Sequence, residues 1–164
     1  MPDYISAEGY RKLTDEYDWL YREERPRITA EVAYAASLGD RSENAEYIYG
    51  KKRLREIDRR MRYLRIRIES VEVVRPLDLA GAKARFGARV RVADEDGLEA
   101  TYVLVGVDEA DVRAGRISYQ SPIGKALVGK SEGDEAWIHA PSGRRSVEIL
   151  EVSYDPEPEP EPRS

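Results

Sequence analysis

Residues 51–71 read "KKRLREIDRRMRYLRIRIESV", and the spacing of their apolar members decides the fold of the first half of the chain. Leu54, Ile57, Met61, Leu64, Ile68 and Val71 recur at intervals of 3, 4, 3, 4 and 3, the seam of a coiled coil. A seam of this kind has to be covered by another helix. The same segment is dense in charge: residues 51–67 hold nine basic side chains against two acidic ones, a local +7. Charge at that density along one helix points to a polyanionic partner, and the alternative is a plain solvated helix surface.

The covering helix is found upstream. Residues 6–37 read as helical, with Ser6 as a cap and Glu8 and Glu16 among the acids of the early turns. Tyr10, Leu13, Tyr17 and Leu20 form one apolar stripe, which resumes beyond Pro26 as Ile28, Val32 and Ala35, shifted by about one residue. A proline inside a helix removes a hydrogen bond, so a kink or stutter is expected near residues 22–26. The second helix is expected over roughly 42–73, ended by Pro76. Only a short connection joins the two, so they must run antiparallel and pack together. Some thirty residues per arm make a rod on the order of 45 Å long.

Its turn is "SLGDRSEN", residues 37–44, where Gly39 supplies the permissive backbone for the reversal. Asp40 and Glu43 stand three residues apart, and spacing alone allows two readings. Asp40 as N-cap with Glu43 closing a capping box would open the second helix. Alternatively, the two carboxylates are displayed as hard oxygen ligands of the kind magnesium takes, completing a site that another molecule supplies.

After Pro76 the pattern changes. Segments 88–94, 99–107, 116–120, 135–140 and 146–152 alternate or are rich in β-branched residues, and "DEDG" (94–97) is a hairpin signal. One helix interrupts them, with Ser121 as N-cap and Pro122 at its first position. The fold class is therefore α+β: an N-terminal antiparallel coiled-coil hairpin over 1–75 with an acidic tip near 38–44, then a small α+β domain over 76–153. The tail 154–164, "YDPEPEPEPRS", is acidic and Pro-rich and should be extended and disordered.

Composition agrees with one small domain carrying a projecting element. Charged residues make up 36% of the chain, high for a single compact core, and the net charge is −5. That total conceals an asymmetry. Residues 1–75 carry 16 Lys/Arg against 15 Asp/Glu, whereas residues 76–164 carry 11 against 17. The absence of cysteine excludes disulfides, thiolate metal sites and a Cys nucleophile. No apolar run reaches membrane-spanning length and the N-terminus has no signal pattern, so a soluble cytoplasmic protein with no membrane partner is expected. The single His139 lies in a strand-like segment and is assigned no role.

Three stretches carry a resemblance: "YREERPRI" (21–28), "AASLGDRSENAEYIYGKKRLREIDRRMRYL" (35–64) and "ISYQSPIGKALVGKSEGDEAW" (117–137). In order and spacing they resemble the GreA/GreB family of bacterial transcript-cleavage factors over residues 4–153, and the sequence after the tip points to the GreB branch. Gly50 stands where an Asn usually precedes the two lysines. The resemblance implies an FKBP-like second domain and a coiled coil inserted into the secondary channel of a backtracked RNA polymerase. It also implies that Asp40 and Glu43 act in trans, stabilising a magnesium ion of the polymerase and positioning the attacking water. Neither would bind metal alone. The polymerase's own active site then cleaves the nascent RNA 3′ end, so the chain is an accessory factor without a cofactor of its own.

Under this reading Lys51, Lys52, Arg53, Arg55, Arg59 and Arg60 follow the RNA phosphates. Gln120, Ser121, Pro122 and Ile123 dock on the channel rim, with Gln120 where many such factors have Asp. The chain is expected to be monomeric. The FKBP-like fold does not imply prolyl isomerase activity. Two rival readings are a channel-occupying inhibitor, which has no need of the acidic pair, and a stand-alone RNA-binding protein or nuclease. The latter would need a pocket, a metal cage or a nucleophile–base pair, and the sequence offers none.

Overall fold

A computed structural model describes residues 3–39 and 44–154. The chain divides into two compact units, one spanning Tyr10–Val71 and the other made of Met1–Gly9 with Glu72–Ser164. This differs from the expected hairpin boundary of 1–75, and the reason is a short parallel ladder. Strand β1 (Tyr4–Ile5) pairs with β2 (Glu72–Val73), Tyr4 opposite Glu72. Glu72 N–H donates to Asp3 O at 2.8 Å and Val74 N–H to Ile5 O at 3.0 Å. The ladder joins the two segments to each other, and the Tyr4 N–H, donating to the Tyr119 hydroxyl at 3.0 Å, links them to the sheet unit.

The first arm starts at α1 (Ala7–Trp19), where Ser6 Oγ accepts the Gly9 N–H at 3.0 Å, the expected cap. A π-helical turn (Leu20–Glu24) leads into α2 (Arg25–Ser37). The buried residues Leu13, Leu20, Ile28 and Ala35 are spaced 7, 8 and 7. The π turn absorbs the one extra residue: Arg25 N–H donates to Leu20 O, five positions back. It ends at Glu24, two residues before Pro26, which has no N–H to offer. The expected stutter is this turn.

The second arm, α3, runs Ala45–Ser70, shorter at both ends than the expected 42–73. It stops at Val71, whose backbone is already extended (φ −82°, ψ 151°), because the next two residues join the β1–β2 ladder. Pro76 is therefore not what ends it. Ile57 and Leu64 are fully buried, while Leu54, Met61 and Ile68 are half-buried, as a two-helix seam covered from one side requires. Each fully buried aliphatic side chain contributes about 1.5–3 kcal/mol. Gly50 lets the Val32 side chain pack closely against α3: a Cβ there would stand 2.5 Å from Val32 Cγ2.

The other unit is a five-stranded sheet in the order β5–β4–β3–β7–β6, with β3 (Arg89–Asp94), β4 (Glu99–Val105), β5 (Arg116–Ser118), β6 (Glu135–Ala140) and β7 (Gly143–Ser153). All pairs are antiparallel except β4–β5. The "DEDG" turn forms as expected: Asp94 N–H donates to Leu98 O at 2.9 Å and Asp94 Oδ1 accepts the Asp96 and Leu98 N–H groups. One short helix, α4 (Pro122–Leu127), packs against β6, and Leu127 joins Val90, Leu104, Ile138 and Ile149 in the core. β7 starts three residues earlier than expected, Gly143 pairing with Ala140 across a tight turn. This is the α+β architecture read from the sequence. At its C-terminal end Tyr154 donates its hydroxyl to Lys83 O at 2.7 Å and accepts the Arg85 N–H at 3.0 Å.

Candidate functional site

The cap of α3 decides between the two readings of the hairpin turn as far as helix capping goes. Asn44, in extended conformation, is the N-cap: its Oδ1 accepts the Tyr47 N–H at 3.1 Å. Its Nδ2 donates to Ala35 O at 2.6 Å, so one side chain caps the second arm and satisfies a carbonyl near the end of the first. The helix begins at Ala45, so Asp40 is not its N-cap and Glu43 does not hold the third helical position of a capping box. Asp40 and Glu43 themselves lie outside the described residues. Their places in the chain fall between the end of α2 and Asn44. Gly39, just before them, has φ +155°, a backbone that side-chain-bearing residues rarely adopt.

The six basic residues singled out on α3 separate into two groups. Lys51, Lys52, Arg55 and Arg59 are exposed, and with Arg62 they fall on the face turned away from the seam. Arg53 and Arg60 instead flank the seam and reach the other arm. Arg60 binds Glu16 through two hydrogen bonds, Nε–Oε2 at 2.5 Å and Nη2–Oε1 at 2.8 Å. That hydrogen bond is the main reason the Glu16 carboxyl titrates below the usual carboxylate range. Arg53 lies 3.8 Å from Glu24 and 3.5 Å from Glu56. Glu24, in the π turn, is buried and also bonded to Arg27. A charge count cannot see this division, but positions can: 53, 57, 60 and 64 follow a 4-3-4 spacing, so Arg53 and Arg60 border the buried Ile57 and Leu64.

The segment 120–123 sits where β5 passes into α4. Ser121 is the N-cap, accepting the Gly124 N–H at 3.1 Å and donating to Ser118 O at 2.7 Å. Gln120 is half-buried with Nε2 donating to the Tyr119 hydroxyl at 3.0 Å, and Ile123 packs against the sheet core. Pro122 is the exposed member. Among the described residues no three His, Cys, Asp or Glu side chains cluster so as to hold a metal ion, and no helix is long and apolar enough to cross a membrane.

Two family profiles together span nearly the whole chain. Residues 3–73 match "Transcription elongation factor, N-terminal" and residues 80–154 match "Transcription elongation factor, GreA/GreB, C-term". The chain belongs to the GreA/GreB family of transcription elongation factors. Transcription elongation factor GreB of Yersinia pestis is 48% identical over 160 residues, covering 98% of this chain and 94% of its own. GreB of Pseudomonas aeruginosa is 48% identical, covering 94% and 92%. Among solved structures, GreA factor homolog 1 of Thermus thermophilus aligns over 93% of this chain and 99% of its own, at 22% identity and a TM-score of 0.43. For this GreA/GreB member, Asn44 and Glu24 are the residues that pattern reading overlooked. Asn44 was hidden by the Asp40–Glu43 pair, which mimics a capping box. Glu24 was hidden in the general charge of "YREERPR".

Proposed function

We propose that this chain is an accessory factor of bacterial RNA polymerase in the cytoplasm, which enters the secondary channel of a backtracked enzyme and stimulates cleavage of the nascent RNA 3′ end. The family relation carries the reading, because it spans both units at 48% identity to factors named GreB. The hairpin adds a physical argument: the α3 cap belongs to Asn44, which leaves Asp40 and Glu43 without that structural duty. Two carboxylates are oxygen donors that suit magnesium, but two are too few to hold it without further ligands. In this proposal the polymerase supplies the metal and the remaining ligands, and the ion supplies an activated water and charge stabilisation. Asp40 and Glu43 add negative charge and orient that water. Lys51, Lys52, Arg55 and Arg59 follow RNA phosphates by unspecific electrostatics. Pro122 and its neighbours dock on the channel rim.

The test is single-turnover cleavage in stalled, backtracked polymerase complexes at saturating factor, across a magnesium titration. Asp40→Asn and Glu43→Gln preserve size and polarity and should melt as the parent does. Stimulated cleavage should fall at least about tenfold, about 1.4 kcal/mol in barrier, with partial recovery at high magnesium. Parental rates from both variants would remove the tip from the chemistry. No stimulation by the unmodified chain would remove the reading itself.

A further inference from the structure

An open groove of about 930 Å³ lies between α2 and α3, within the volume range of ligand-sized sites. Small side chains at Ala30, Ala45 and Gly50 leave it open. One tyrosine from each arm lines it: Tyr34, 66% exposed, and Tyr49, 76% exposed. Tyr34 lies one turn before the end of α2 and Tyr49 one turn after the start of α3, so both rings belong to the ends of the arms that adjoin the turn. Neither ring is spent on the seam, which Ile28, Ala35, Ile57 and Leu64 fill.

The charges around the groove indicate what fits it. Glu31 lines it but is paired with Arg27 at 2.8 Å, and Arg53 is engaged by Glu24 and Glu56. Glu46 carries a negative charge beside the rings, which disfavours a phosphate inside the groove itself. Immediately beyond Tyr49 and Gly50, however, the exposed cations Lys51, Lys52, Arg55 and Arg59 begin. Two exposed aromatic faces continuous with a cationic stripe match a ligand with flat apolar rings on an anionic backbone. That is single-stranded nucleic acid, whose bases stack on aromatic side chains without regard to sequence.

We propose that Tyr34 and Tyr49 form a nucleobase-stacking site for the extruded RNA, with the phosphates carried along Lys51, Lys52, Arg55 and Arg59; this rests on the accessory-factor reading above. The site holds the RNA close to the turn by its bases, whereas the cations hold only its backbone.

The test uses stalled polymerase complexes whose extruded RNA carries either ordinary bases or abasic residues, and reads the factor concentration giving half-maximal single-turnover cleavage. The double variant Tyr34→Leu/Tyr49→Leu should raise that concentration about tenfold on base-bearing RNA. Tyr34→Phe/Tyr49→Phe keeps both rings and should stay near the parent. On abasic RNA the parent and the Leu variant should coincide. An equal loss on both RNAs would assign the groove to an apolar side chain of the polymerase, and no loss on either would leave it without an occupant; each overturns the stacking site while parental stimulation keeps the accessory reading intact. Absence of stimulation by the parent sinks both. A 4-thiouridine placed in the extruded segment should also crosslink to peptides containing Tyr34 or Tyr49 in the unmodified chain, and crosslinks confined to other peptides would overturn the proposal without any variant.

Discussion

In the hairpin, burial runs along a single file, Leu13, Leu20, Ile28 and Ala35 from one arm against Ile57 and Leu64 from the other. In the sheet unit, burial closes into a cluster in which Val90, Leu104, Leu127, Ile138 and Ile149 are surrounded by further buried neighbours. A file has solvent on both sides, so each member is supported mainly by residues one heptad away. A cluster shares the loss of any member among several elements. The hairpin should therefore be the unit whose stability depends most on single residues, and its exposed faces are the ones available to a partner.

The largest expected effect tests that contrast directly. Leu64→Ala removes a fully buried side chain from the file and should cost about 2–5 kcal/mol. In thermal melts followed by circular dichroism, it should lower the helical transition while leaving that of the sheet near its parental value. Leu104→Ala in the cluster should do the reverse. If both variants lower both transitions together, the two units do not hold themselves independently and the comparison fails.

Two glycines sharpen it at a smaller scale. A Cβ on Gly124 in α4 would stand 2.1 Å from Ser118 O and 2.7 Å from Tyr119 Cα, both backbone. On Gly50 the Cβ would meet only the Val32 side chain, at 2.5 Å. Valine in a helix is held to one rotamer, so Gly50→Ala should still cost about 1–3 kcal/mol of overpacking. Roughly 1 kcal/mol of helix propensity offsets part of that. Gly124→Ala, with backbone in the way, should lose more stability in urea titrations. The opposite ranking would mean that the sheet unit yields more readily than the hairpin.

The smallest expected effect is electrostatic. The hydrogen bond from Arg60 lowers the Glu16 pKa in the folded state. A depressed carboxylate pKa contributes stability above the unfolded value, and that contribution is lost as pH falls through the folded one. The hairpin should therefore melt earlier on acidification into and below the ordinary carboxylate range, and Glu16→Gln should flatten this acid limb. The two proteins should differ most near neutrality, though by no more than about 1 kcal/mol because both side chains are partly exposed, and should converge at low pH. Parallel acid limbs in parent and variant would show that the bond across the arms is energetically silent.

How much the sequence disclosed follows the same division. The seam of α3 was legible because a two-helix coil repeats one simple period over many turns. The break in the first arm was legible too, as a one-residue slip in the apolar stripe next to Pro26. The main strands of the sheet could be read from their alternation, with ends misjudged by a few residues. The β1–β2 ladder could not be read, since two residues on each side, "YI" and "EV", carry no periodicity. Its omission displaced the boundary of the hairpin and the end of α3. Of the six cations that charge density singled out, Lys51, Lys52, Arg55 and Arg59 are exposed, whereas Arg53 and Arg60 pair with acids of the other arm, a difference that density alone does not reveal. At the turn, Asp40 and Glu43 imitated a cap that Asn44 provides.

The π turn at Leu20–Glu24 gives the first arm a phase as well as a length. Each residue of an α-helix advances its side chain by about 100°. Removing one residue from this turn would return it to an ordinary α-helical turn with the plain seven-residue spacing, so Ile28 would stay on the seam and Tyr34 would keep its heading. Removing one residue from α2 between Ile28 and Tyr34 would instead rotate everything from there to Gly39 by about 100° against α3, and Tyr34 would turn away from the groove. Inserting seven residues in each arm, by contrast, would lengthen the hairpin by about 10 Å and return every side chain nearly to its original heading. Evolution of such an arm is thus free to change its reach in whole heptads, while single insertions and deletions are confined to places where a wide turn can take up the slack.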